Sequence, residues 1–166
     1  MATRKLETDY LVIGAGAAGM AFVDALIAAC DTQVILVDRR HAPGGHWHDA
    51  YPFVRLHQPS GFYGVNSLAL GTETIDRHGT NQGMYERANA PEIVGYYDHV
   101  MQQHLLPSGR VRYFPMCEYV GERRFVSRVT GLAFTRRQTA KPSSAGMRRS
   151  MIARWGRNAP SWISPS

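Results

Sequence analysis

The sequence predicts an α/β fold, a parallel sheet with a helix crossing over it, and three observations carry that prediction. Two short apolar runs, residues 10–13 (YLVI) and 33–38 (QVILVD), are rich in β-branched residues. Between them, residues 17–30 are rich in Ala, carry Leu and contain no Pro, which is helix composition. The joint between the first run and the helix is Gly14-Ala15-Gly16-Ala17-Ala18-Gly19, a full GxGxxG. Strand, helix and strand within about 30 residues form one βαβ unit of the Rossmann-like kind.

The elements follow in chain order. Residues 1–9 are polar and mixed in charge. The first run is short and continuous and ends at Gly14, as expected of a strand buried on both faces. Glu7 and Asp9 before it, Asp24 within the following helix and the interrupting glycines argue against a signal-peptide core. Residues 56–83 hold Pro59 and five glycines and read as loop. Residues 91–106 (PEIVGYYDHVMQQHLL) read as a helix, with Pro91 in the first turn and Ile93, Tyr97, Val100, His104 and Leu105 forming a core stripe. Gly109 ends that region. Val111–Phe114 reads as a third parallel strand, and residues 117–120 and 124–129 as short antiparallel strands, with strand periodicity stopping near Gly131.

The chain has 166 residues, 44% hydrophobic and 19% charged, enough apolar side chains for one domain core. No apolar run approaches the roughly 18 residues of a membrane span. Cys30 and Cys117 form no CxxC pair, zinc spacing or disulfide framework, so a reducing cytoplasm is the expected setting. The net charge of +6 is unevenly placed. Residues 1–131 hold 12 Lys and Arg against 13 Asp and Glu, whereas residues 132–166 hold 7 basic residues and no acid. A nearly neutral body gives no reason to expect nucleic acid as a partner.

The glycine turn carries the functional reading. Gly14 makes the tight exit from the strand, Gly16 lets a pyrophosphate approach the backbone, and Gly19 lets the helix pack closely. The N–H groups of Gly16, Ala17 and Ala18 face the phosphates, aided by the helix dipole. Asp38 closes the next strand 24 residues after Gly14, where a carboxylate accepts from the ribose hydroxyls. It repels a ribose 2′-phosphate, although Arg39 and Arg40 offset that charge. The expected partner is an adenine dinucleotide.

After Asp38 the chain runs through Gly44-Gly45-His46-Trp47, Tyr51-Pro52 and Arg55. This order resembles the N-terminal flavin-binding region of FAD-dependent oxidoreductases, especially the flavin-containing and Baeyer–Villiger monooxygenase group, over roughly residues 8–131. The resemblance implies FAD as cofactor, with Gly45, His46 and Trp47 along its ribityl and pyrophosphate portion, and a small β-meander after the third strand. It assigns no catalytic residue. His41, His46, His48 and His57 lack metal-ligand spacing, and no metal is expected.

The same group carries a late Gly-Asp element, a second GxGxxG for NADPH and an FxGxxxHxxxW signature, and none occurs here. NADP is accordingly expected only in a complete family member. The expected organisation is a partial FAD/NAD(P)-binding domain over residues 1–131 followed by a basic tail, 132–166. That tail reads as a truncated or functionless end. Its alternatives are a disordered tail or a membrane-surface helix presenting Met147, Met151 and Trp155. Two other functions stay open: a non-catalytic adenine-dinucleotide-binding fragment, and a basic-tailed membrane or nucleic-acid adaptor. Substrate and oligomeric state are unassigned.

Overall fold

The computed structural model describes residues 3–139. The tail readings at Met147, Met151 and Trp155 lie outside the described residues. The elements are β1 (Thr3–Thr8), β2 (Tyr10–Ile13), α1 (Ala17–Ala29), β3 (Val34–Val37), β4 (Gly64–Val65), β5 (Leu68–Ala69), α2 (Ala90–Val100), β6 (Val111–Phe114), β7 (Cys117–Gly121), β8 (Arg124–Ser127) and β9 (Ala133–Gln138).

The expected βαβ unit is present. β2 pairs parallel with β3, Tyr10 opposite Val34 and Ile13 opposite Val37. β3 pairs parallel with β6 on its other side. The central strand β3 is buried at all four positions, and its alternation divides the core. Val34 and Leu36 face α1 and α2 with Met20, Val23, Leu26, Ile93, Tyr97 and Leu105. Ile35 and Val37 face the other way, onto Phe125, Cys117, Leu6 and Phe134. The result is three layers: helices, parallel sheet, and a second sheet ordered β1-β9-β8-β7.

Three expectations need correction. β2 is an edge strand of its sheet among the described residues, so it is half-buried rather than covered on both faces, and Ile13 is 49% exposed. Strand structure does not stop near Gly131. β9 pairs parallel with β1 and antiparallel with β8, and Phe134 stacks on Phe125 at 5.0 Å between centroids. The polar N-terminal stretch is therefore a strand, because β9 offers it a ladder and Leu6 gives it one inward anchor. The boundary drawn at residue 132 thus cuts through this sheet.

The second helix forms as expected but starts on a better signal than Pro91. Asn89 and Glu92 make a reciprocal capping box, Asn89 Oδ1 accepting from Glu92 N–H at 3.0 Å and Glu92 Oε2 from Asn89 N–H at 2.7 Å. The helix continues as a π turn, Met101–Leu105, which moves His104 out of the core stripe. Its side chain is 40% exposed and its Nε2 lies 2.8 Å from buried Asp24. Asp24 in turn accepts from the backbone N–H groups of Asn66 and Ser67 and fastens the 56–83 loop to α1.

Candidate functional site

The carboxyl ends of β2 and β3 open onto a crevice of about 750 Å³, the position where open α/β sheets bind ligands. Gly14, Gly16, Ala17, Ala18 and Gly19 form one wall. Asp38 and Arg40 form its floor, Arg39, Gly45 and His46 its rim, and Cys117, Glu118 and Tyr119 of β7 the far side. Nine of the ten residues expected at the site thus line one space; Trp47 does not.

The turn is shaped by its glycines. Gly14 has φ +100°, a conformation that disfavours side chains, and its N–H donates to Val37 O at 2.7 Å. A Cβ at Gly19 would collide with the Gly14 carbonyl oxygen, so close packing here is of helix against turn. The first intrahelical bond runs from Met20 N–H to Gly16 O at 3.0 Å. The amides of Ala17, Ala18 and Gly19 therefore precede the helix ladder, and Gly16, the N-cap, supplies no side chain to occupy them. This end of α1 is a ready anion site with about half a positive charge from the helix dipole.

Asp38 is 6% exposed and holds the site together. Its Oδ2 accepts from Ala15 N–H at 2.6 Å and its Oδ1 from Arg40 N–H at 2.7 Å. Its backbone is held on the other side by β6 and β7, Asp38 N–H donating to Phe114 O and Cys117 N–H to Asp38 O. One carboxylate thus fixes the glycine turn to the strand end. A carboxylate offers about four lone-pair sites, so acceptor capacity for two hydroxyls is retained.

The 44–49 turn is fastened to the same frame. Gly44 N–H donates to Ala15 O at 2.9 Å. Gly45–Asp49 is a single 3₁₀ turn. Arg40 reaches Asp49 in a two-pronged ion pair, Nη1 to Oδ1 at 2.9 Å and Nη2 to Oδ2 at 2.5 Å. That guanidinium holds the Asp49 carboxyl below the usual carboxylate range. Arg39 is exposed at the rim, and no ion pair engages its side chain among the described residues.

Trp47 turns inward, contrary to a place on the cofactor wall. Its ring is 8% exposed within the helix-side core, and its Nε1–H donates to Tyr63 Oη at 2.7 Å. The 3₁₀ turn places consecutive residues about 120° apart, so His46 faces the crevice while Trp47 faces the core. His48 Nε2 lies 2.8 Å from Pro43 O, and its ring meets His41 at 5.2 Å. Among the described residues, no three His, Cys, Asp or Glu side chains gather as metal ligands do.

Sequence reasoning missed the β7 wall and the Arg40–Asp49 pair. The wall had a faint signal, a third strand followed at once by alternating residues. The pair had none, because a nine-residue separation across a loop has no periodicity.

The fold is that of a Rossmann-like α/β domain, and residues 12–79 match the family model of an NAD(P)-binding Rossmann-like domain. The chain is 62% identical over 122 residues to an uncharacterized protein of Mycobacterium tuberculosis (strain H37Rv), a match covering 74% of this chain and 23% of that protein. An uncharacterized protein of Mycobacterium bovis matches to the same extent. The chain therefore spans about a quarter of the length of the curated relatives it matches. Its fold is shared with a flavin-containing monooxygenase from Stenotrophomonas maltophilia, at TM-score 0.50 and 18% identity over 82% of this chain and 41% of that one. A cyclohexanone-bound cyclohexanone monooxygenase gives TM-score 0.50 and 19% identity over 84% and 28%. No helix among the described residues is long and apolar enough to cross a membrane.

Proposed function

We propose that this chain is the FAD-binding N-terminal portion of a flavin-dependent, NAD(P)H-linked oxidoreductase of the monooxygenase type, working in the cytoplasm. The observation that carries the reading is the convergence of the α1 amides, Asp38 and the Gly45-His46 rim on one crevice. The residues present suit the group. The amides of Ala17 and Ala18 hold the pyrophosphate, Asp38 accepts from the adenosine ribose, and Gly45 and His46 border the path toward the ribityl chain. The size, about 750 Å³, is that of a cofactor site. When bound, the flavin supplies hydride acceptance, and the protein supplies binding and orientation. The two free cysteines suit a reducing compartment.

The test is a titration of the full chain with FAD, followed by flavin fluorescence and calorimetry, with ADP as competitor. Saturable one-to-one FAD binding displaced by ADP is expected. ADP binding without FAD binding would favour a non-catalytic adenine-nucleotide module. No binding of either at millimolar concentration would overturn the reading.

A further inference from the structure

We infer that Asp49, a residue outside the crevice, sets its nucleotide specificity by withholding Arg40 from the ribose, so that the site takes an adenosine with a free 2′-hydroxyl and rejects one bearing a 2′-phosphate. The inference rests on the dinucleotide reading above and deepens it.

Two arginines follow Asp38, and an arginine at this place is what accommodates a 2′-phosphate in dinucleotide sites. By sequence alone they offset the Asp38 carboxylate. The structure separates their roles. Arg40 lines the crevice, and its backbone N–H binds Asp38 Oδ1, so its side chain starts beside the carboxylate that meets the ribose. Both terminal nitrogens of that side chain are committed to the two carboxylate oxygens of Asp49. Fork-to-fork pairing of this kind is strongly directional, and it points the guanidinium at the 45–49 turn instead of the ribose. The Arg40 side chain is 23% exposed against 65% for Asp49, so the arginine is the more sequestered partner.

A 2′-phosphate entering the crevice meets the Asp38 carboxylate directly. It can recruit Arg40 only by displacing Asp49, whose charge also opposes it. Arg39 remains at the exposed rim, where screening weakens its help. Removing the Asp49 charge frees Arg40 without substituting any residue that lines the crevice.

The experiment compares ADP-ribose with its 2′-phosphorylated form by calorimetry on the full chain, for the parent protein, Asp49→Asn, Asp49→Glu and Asp49→Asn/Arg40→Gln. The parent should prefer the unphosphorylated nucleotide at least tenfold. Asp49→Asn should narrow that preference about twofold to fivefold, chiefly by tightening the phosphorylated ligand, the modest size reflecting an ion pair whose carboxylate is exposed. Asp49→Glu should restore the parent preference, and Arg40→Gln in the Asn background should abolish the gain, which a merely structural role would not produce. An unchanged ratio in Asp49→Asn overturns the role of Asp49 alone. A parent protein that binds the two nucleotides equally overturns it too. Failure of the parent to bind either nucleotide overturns the dinucleotide reading together with this inference.

Discussion

The backbones of Gly16 and Gly45 meet directly: a Cβ placed on Gly45 would lie 3.0 Å from the Gly16 Cα, and one on Gly16 would lie 3.5 Å from the Gly45 Cα. Two glycine loops 29 residues apart in sequence are thus packed face to face, with Gly44 N–H bonded to Ala15 O beside them. Gly16 thus serves loop packing, beside the phosphate approach proposed for it.

The two glycines should respond differently to alanine. Gly45 has φ +60°, so Gly45→Ala combines a left-handed backbone with the 3.0 Å approach. It should cost about 1–3 kcal/mol and weaken FAD binding by parting the loops. Gly16→Ala has ordinary φ and an ordinary 3.5 Å contact, and it should leave the melting temperature within a few degrees. Thermal melts of the two variants check this. Equal destabilisation would mean that the loops do not meet as described.

Asp38→Ala should reduce stability as well as nucleotide affinity. The substitution leaves two N–H groups, of Ala15 and Arg40, without their acceptor. Each charge-assisted bond is worth about 1.5–3 kcal/mol before non-additivity. Asp38→Asn keeps one acceptor oxygen and should lie between the parent and Ala. Denaturant unfolding of the three proteins measures the order, and an Ala variant as stable as the parent would reduce Asp38 to a ligand group.

How far the fold could be read from sequence follows from what each element uses. β2, α1 and β3 carry their own signals, because β-branched runs, an Ala-rich helix and the glycine turn are local. β6 was legible for the same reason. β1 and β9 are polar strands whose ladder joins Thr3 to Ala133, a pairing that no local pattern announces. At the site, the glycines and Asp38 were legible because backbone conformation and a strand end restrict residue type. The inward turn of Trp47 was not, since one residue of phase in a 3₁₀ turn decides it. The capping box of Asn89 and Glu92 was readable at its three-residue spacing, with Pro91 the more conspicuous mark.

Strand β9 makes the position of a truncation decisive. A chain ending at Gly131 loses the strand between β1 and β8, together with Phe134, which packs against Phe114 and Phe125. Burial of one such ring contributes about 1.5–3 kcal/mol. Unpaired β1 would add its own loss. The shorter chain should melt at least about 10 °C below a chain ending at Thr139, the effect of several kcal/mol in a domain of this size. Calorimetry of the two chains makes the comparison. Coincident melting curves would return residues 132–139 to the status of a tail.

Asp9 should govern part of the acid limb of stability. It sits where β1 turns into β2 and gathers bonds from two other segments, residues 32–33 and 136–139. Its Oδ2 accepts from Gln33 N–H at 2.8 Å and from Thr32 Oγ1 at 3.1 Å, and its Oδ1 accepts from Thr139 Oγ1. Arg136 of β9 donates to the backbone oxygens of Thr8 and Asp9. Partial burial pushes the Asp9 carboxyl up, but the bonds from Gln33, Thr139 and Thr32 and the charge of Arg136 outweigh it, and the net shift is downward. An unfolded Asp titrates near 3.9, so the folded state binds fewer protons around and below that value. The stabilisation is therefore complete above about pH 5 and is lost as pH falls through the lower folded-state value. Asp9→Asn should be less stable than the parent at pH 7 and should lose less stability between about pH 5 and pH 2. Urea unfolding at intervals across that range, followed by circular dichroism, gives both quantities. Parallel stability curves for the two proteins would show that the carboxylate does not carry the link between β9 and the βαβ unit.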